Sequence, residues 1–122
     1  AHLVYSAIDE RPATLSPVMM HLIREEIGFD GLIMTDDISM KALNGSLPDI
    51  ARGSLDAGCD VVLLCNATLE DRRAVAEASG PLSEAGQARA ERALAARKIP
   101  DEVDIPALEA KLDALLNGRG DG

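Results

Sequence analysis

Gly31-Leu32-Ile33-Met34-Thr35-Asp36-Asp37 is the stretch whose reading decides the fold. The run from Gly31 to Thr35 carries no charge and lies between Asp30 and the acidic pair Asp36-Asp37. Unbroken apolarity, with no polar residue at alternate positions, is the pattern of a strand covered on both faces in a parallel sheet. The two carboxylates then stand where that strand ends.

Working outward, the segments on either side alternate in type. Upstream, Ser16-Pro17 is a helix start, with Ser as N-cap and Pro in the first helical position. The spacing predicts a helix over Pro17–Ile27 with Met20, Ile23 and Ile27 on one apolar stripe, ended by Gly28. Before it, Ala1–Tyr5 reads as a short strand or the tail of one. The chain opens with neither Met nor a leader, so something is expected to precede it. Downstream, a helix is predicted over Pro48–Ala57 with Gly58 closing it, and Cys59–Cys65 reads as a second buried strand ending at Asn66. Helices follow over Leu69–Ala78, Ser83–Arg97 and Ile105–Leu116, the last with a stripe of Leu108, Leu112, Leu115 and Leu116. The tail Asn117–Gly122 is expected to fray. The order strand–helix–strand–helix–strand–helices is that of an α/β protein with parallel strands. Three strands are too few to close a barrel. They fit either a portion of a (β/α)8 barrel, which needs ~250 residues, or a small open doubly wound sheet.

Composition removes several classes. With 122 residues and 47% hydrophobic content, the chain can bury a core. Its net charge of −9 and an aromatic content of 2% oppose nucleic-acid binding, since phosphates would be repelled and bases would find few stacking partners. No run is long and apolar enough to span a membrane. Cys59 and Cys65 share strand parity, but roughly 20 Å of strand separates them, too far for a disulfide. Both are expected to be reduced core residues of a cytosolic protein, with no zinc site and no cofactor.

Chemistry concentrates at Thr35-Asp36-Asp37. In parallel α/β folds the C-terminal strand edge is where active sites are built. Adjacent carboxylates repel each other, and successive strand residues point to opposite faces, so only one can aim into a barrel mouth. Three readings stay open on physics alone. The pair could be loop or cap residues, with Asp37 capping a turn that begins at Ile38. It could carry catalysis. It could hold Mg²⁺, although no further ligand cluster lies nearby in sequence.

The run Gly28-Phe29-Asp30-Gly31-Leu32-Ile33-Met34-Thr35-Asp36-Asp37-Ile38-Ser39-Met40 resembles the nucleophile signature of glycoside hydrolase family 3. There an apolar strand ends in Ser or Thr followed by the nucleophilic Asp, which places Thr35 and Asp36 on those positions. The second Asp with Ser-Met after it is similar to the bacterial β-N-acetylglucosaminidase branch. The β-glucosidase branch more often has Trp after the nucleophile, and this chain has no Trp. The opening Ala-His and Ala57-Gly58-Cys59-Asp60-Val61-Val62-Leu63 agree with the same branch. The likeness extends over Ala1–Asn66 and only loosely over the helical tail.

The resemblance implies the C-terminal portion of a (β/α)8 TIM-type barrel with a helical C-terminal tail. Barrel strands and helices would occupy residues 1–66 and a helical segment of the same domain residues 67–122. It implies a cytoplasmic retaining exo-glycosidase that releases N-acetylglucosamine from cell-wall muropeptides during peptidoglycan recycling. Asp36 would be the nucleophile, and His2 and Met40 are candidates for lining the sugar site. His21 is expected to be an ordinary partly exposed helix residue. The branch's acid/base His, its partner Asp and its Lys-His sugar-gripping segment are not in this sequence. The 122 residues alone are therefore expected to have little or no activity, and to need the missing N-terminal barrel half or another copy of the chain to cover their open strand edges. Two rivals stand beside this reading. One is a family 3 enzyme of other sugar preference. The other is a non-catalytic receiver-like α/β domain holding Mg²⁺, against which the chain has no fitting third Asp and Lys.

Overall fold

The computed structural model describes residues 2–118 and bears out the α/β class, with two strands in place of three. A 3₁₀ turn at Ala13–Leu15 leads into α1 (Pro17–His21), which widens into a π-helical stretch at Leu22–Glu26. Strand β1 (Met34–Asp37), helix α2 (Leu47–Ala57) and strand β2 (Val61–Leu63) follow, then α3 (Leu69–Ser79), α4 (Glu84–Ala95) and α5 (Ile105–Asn117). The strands pair in parallel, Met34 opposite Val61 and Asp37 opposite Leu63, with an irregular register between those two pairs.

Local chemistry explains the boundaries. Ser16 Oγ accepts the Met19 N–H at 3.0 Å and in turn donates to Asp9 at 2.6 Å. At the far end of that helical run the Ile27 N–H reaches back five residues to the Leu22 carbonyl, the π pattern. Gly28 follows at φ +73°, and the Phe29 N–H then bonds the Ile23 carbonyl, so Gly28 closes the helix as its sequence position suggests. Gly58 ends α2 at φ +122°, and a Cβ there would lie 3.0 Å from Cβ of Met20. Thr68 and Asp71 form a capping box at the start of α3.

Four expectations need correction. The opening strand is reduced to a single antiparallel bridge between Val4 and Pro12, because among the described residues no neighbouring strand extends a ladder. Strand β1 begins three residues later than Gly31 and is not covered on both faces, since Met34 is 57% exposed. The stripe of the first helix ends early, because Met20 is buried but Ile27 is exposed beyond the π-helical stretch. Cys59 is buried, and burial pushes its thiol up to about 11, but Cys65 is exposed past the end of β2 and is not a core residue. Asn117 still belongs to α5, and the remainder of the expected frayed tail, residues 119–122, lies outside the described residues.

The core lies on one side of the sheet. Ile38, Leu43, Ile50, Ala51 and Val75 form one buried cluster, with Val62 and Leu64 packed against it. Met20, Ala57 and Cys59 form a second, against which Ile33 packs. Ile33 therefore points toward the helices, as does the buried Thr35, and by strand parity Met34 and Asp36 face the opposite way. The predicted leucine stripe of α5 is real as a pattern, yet Leu108, Leu112, Leu115 and Leu116 are each more than half exposed.

Asp60, just before β2 and 8% exposed, ties these parts together. It receives Arg24 at 2.6 Å, Arg89 at 2.8 Å and the Ile33 N–H at 2.8 Å. Arg24 also donates to the Phe29 and Gly31 carbonyls and lies over the Phe29 ring. Removing one partner of such a buried network leaves uncompensated charge, so Asp60→Ala is expected to lower unfolding free energy by about 3–5 kcal/mol in urea titration. Gly58→Ala, which forces a Cβ onto a positive φ against Met20, is expected to cost more than about 1 kcal/mol in the same titration. Leu112→Gln, on the exposed face of α5, is expected to stay within about 0.5 kcal/mol.

Candidate active site

The sequence places two acids at a strand end, and the strand pleat gives them different surroundings. Asp36 and Asp37 are the last residues of β1, at its C-terminal end. Asp36 is exposed, on the face away from the helices, and its Oδ1 accepts the Asp37 N–H at 2.8 Å. A hydrogen bond donated to a carboxylate favours its ionised form. Asp36 thus presents an anionic oxygen at the sheet edge where parallel α/β proteins build their sites.

Asp37 is engaged in the turn that follows. Its Oδ1 accepts the Ser39 N–H at 3.0 Å and the Cys65 N–H at 3.3 Å, and its Oδ2 accepts the Ser39 hydroxyl at 2.8 Å. The Ser39 hydroxyl first, and then the Ser39 N–H, hold the Asp37 carboxyl below the ordinary carboxylate range, against the opposing effect of desolvation. Of the readings left open for the pair, the turn-capping one describes Asp37. Ile38, 1% exposed, anchors the turn in the core, and its N–H bonds the Leu63 carbonyl to extend the parallel ladder past β1.

The remaining candidates divide. Thr35 is buried on the helix side, where its Oγ1 accepts the Leu63 N–H at 2.9 Å. His2 is 5% exposed, with Nδ1 2.7 Å from the Thr14 hydroxyl and Nε2 2.9 Å from the Asp37 carbonyl. It is therefore brought to the strand end of Asp36, though it lies behind that end and not in solvent. Met40 sits 41% exposed in the turn, where its N–H bonds the Asp37 carbonyl. His21 lies exposed on α1. Among the described residues no group of three or more His, Cys, Asp or Glu side chains is arranged to hold a metal ion. None of their helices is long and apolar enough to cross a membrane. A hollow of about 680 Å³ lies elsewhere, between α2, β2 and α3, lined in part by Leu55, Val62, Val75 and Leu82.

Two features escape sequence reasoning. The Thr14 contact to His2 joins residues in a loop with no motif, and its only signal is a buried polar pair. Asp60 lies inside a segment notable for its likeness to a family pattern, but nothing local indicates that Arg24 and Arg89 converge on it.

Comparison with known proteins gives the family of the chain. Residues 1–97 match the profile described as the glycosyl hydrolase family 3 N terminal domain. A beta-hexosaminidase of Shewanella frigidimarina is 39% identical over 87 residues, which are 69% of this chain and 26% of the relative. One of Alkalilimnicola ehrlichii is 46% identical over 69 residues, 54% of this chain and 20% of its own. Among solved structures, CbsA from Thermotoga neapolitana aligns with a TM-score of 0.68 at 30% identity, covering 80% of this chain and 24% of that one. The beta-N-acetylglucosaminidase from Thermotoga maritima aligns with a TM-score of 0.61 at 33% identity over the same shares. The chain spans about a quarter or less of the length of these relatives.

A depressed folded-state pKa gives Asp37 a contribution to turn order that is present above the ordinary carboxylate pKa and fades as pH falls through the lower, folded value. The protection factor of the Ser39 amide, its exchange rate by NMR relative to the intrinsic rate at each pH, is expected to fall on acidification below the ordinary range. In Asp37→Ala that protection is expected to be low at every pH.

Proposed function

The chain belongs to glycoside hydrolase family 3, and on that premise we propose that it is the nucleophile-bearing part of a retaining exo-glycosidase. The enzyme releases terminal β-linked N-acetylglucosamine. The observation that carries this reading is the exposed Asp36 carboxylate at the C-terminal end of a parallel strand, held to the Asp37 N–H. The names of the beta-hexosaminidase relatives and of the beta-N-acetylglucosaminidase structure support the choice of sugar.

Asp36 attacks the anomeric carbon, and the glycosidic bond breaks as a separate acid protonates the leaving oxygen. The product is a glycosyl–Asp36 ester, which water then hydrolyses with that same acid acting as base. The acid/base comes from outside this chain. His2 has both ring nitrogens bonded to protein, and His21 is an exposed residue on α1. Met40, exposed in the turn after the nucleophile, walls the sugar site.

The architecture follows from the same reading. Residues 1–66 supply the last strands and helices of a (β/α)8 barrel, and residues 67–122 a helical segment of that domain. Support comes from the one-sided sheet: Met34, half-exposed beside Asp36, lies on the face that a closed barrel would turn inward. The open edges are covered by the N-terminal barrel half or by another copy of the chain. Without that half the chain has little activity, since loss of an acid/base group alone costs roughly 10²–10⁴ in rate. The substrates are N-acetylglucosamine-bearing muropeptides, processed in the cytoplasm as peptidoglycan is recycled.

The test is intact-mass analysis of the full-length enzyme after incubation with 2-acetamido-2-deoxy-5-fluoro-glucosyl fluoride, which traps glycosyl–enzyme esters. A single sugar adduct is expected, mapped to Asp36 and absent from Asp36→Asn. An adduct that persists in Asp36→Asn, or a folded full-length enzyme that takes no label, would overturn the assignment.

A further inference from the structure

We propose that His2 is a positioning residue for the nucleophile, restraining the direction of the Asp36 carboxylate through the backbone of Asp37 without touching the sugar. This rests on Asp36 being the nucleophile.

His2 is 5% exposed, and both ring nitrogens have partners. The Asp37 carbonyl can only accept, so Nε2 must carry a hydrogen and donate at 2.9 Å. In the neutral ring Nδ1 is then the acceptor, and the Thr14 hydroxyl, itself buried, donates to it at 2.7 Å. A ring held at both nitrogens has one orientation, and that orientation is aimed at a single backbone atom. No ring nitrogen is left for a substrate hydroxyl.

The carbonyl that His2 holds matters because of what else residue 37 carries. Its N–H binds Oδ1 of Asp36, and its carboxylate is fixed by Ser39 and Cys65. Its carbonyl also receives the Met40 N–H at 3.1 Å. The carbonyl belongs to the Asp37–Ile38 peptide and the N–H to the Asp36–Asp37 peptide. With the side chain also fixed, holding the carbonyl limits rotation about the two Asp37 backbone bonds that would shift the N–H accepted by Asp36 and loosen the turn that carries Met40. These four partners, Asp36, Ser39, Met40 and Cys65, lie within three positions of Asp37 or just past the end of β2. His2 is the contact that arrives from a different part of the chain, 35 residues away, and it ties the strand end to the segment before α1. Nucleophilic attack needs the carboxylate oxygen in near-attack geometry, and small misplacements slow it steeply.

Gln and Asn replacements separate this role from general packing. The Gln side-chain nitrogen reaches about where His2 Nε2 sits and can still donate to Asp37. The Asn nitrogen mimics Nδ1 and cannot. In the full-length enzyme, trapping kinetics with the 5-fluoro glycosyl fluoride are expected to show near wild-type inactivation for His2→Gln. For His2→Asn the first-order inactivation constant should fall roughly a hundredfold, with the probe's binding constant unchanged. Equal rates for both variants, or a loss confined to probe binding, would overturn the role while leaving the nucleophile assignment intact. A wild-type enzyme that is not labelled at Asp36 would overturn that assignment and this role together.

Discussion

Everything in this fold hangs from the carboxylate of Asp60. Three donors converge on it: Arg24 from the π-helical stretch after α1, Arg89 from α4, and the Ile33 N–H from the approach to β1. They lie 36, 29 and 27 residues away in sequence. Desolvating the three charges offsets much of their mutual attraction, so the net contribution to stability is modest beside the cost of breaking the set. What the network supplies is placement. Arg24 reaches the Phe29 and Gly31 carbonyls as well, so the whole approach to β1 is held by one guanidinium and its partner acid. Asp30 joins the same cluster through Arg89 at 3.6 Å and is also held by Arg92 at 2.9 Å.

That clamp sits at the N-terminal ends of both strands, and its position divides the sheet. One end is fixed by charge, and the other carries Asp36, Asp37 and the turn through Met40. The irregular register lies between the Met34 and Asp37 pairings, where the backbone also bonds through the Thr35 hydroxyl. Parallel α/β folds commonly put stability at one end of their strands and chemistry at the other. In the proposed barrel this piece follows that rule, with Asp60 clamping one end and Asp36 at the other.

Much of this was legible before any coordinates. Ser16-Pro17, Gly28, Gly58 and the helix starts near Leu69 and Ile105 announced themselves, because caps and breakers act over a few residues and leave local signatures. The acidic pair at a strand end was legible for the same reason. The opening segment misled, because Leu3, Val4 and Tyr5 have strand-like chemistry but only Pro12 as a bridge partner for Val4. The cover expected on both faces of β1 misled likewise, since unbroken apolarity reports what a strand is suited to contact and not what is present to contact it. The Asp60 network and the His2–Thr14–Asp37 chain were invisible for a third reason. They join side chains from distant segments, and no spacing rule relates such positions.

The acidic pair itself shows how neighbouring like charges can both be kept. Placed side by side in an apolar setting, one of two carboxylates would be driven to hold a proton. Here the pleat turns them to opposite faces, and each meets different donors. Asp37 takes two N–H groups and a hydroxyl, and the charge of Asp36 is the least of the influences on its ionisation, weaker than any of those hydrogen bonds. Asp36 takes the N–H of Asp37 itself, so the residue that competes with it electrostatically is also the residue that orients it. Substituting Asp37 therefore does more than relieve repulsion, because it loosens the peptide on which the Asp36 carboxylate depends. A second acid beside a nucleophile, costly by charge alone, is justified here by the turn it builds.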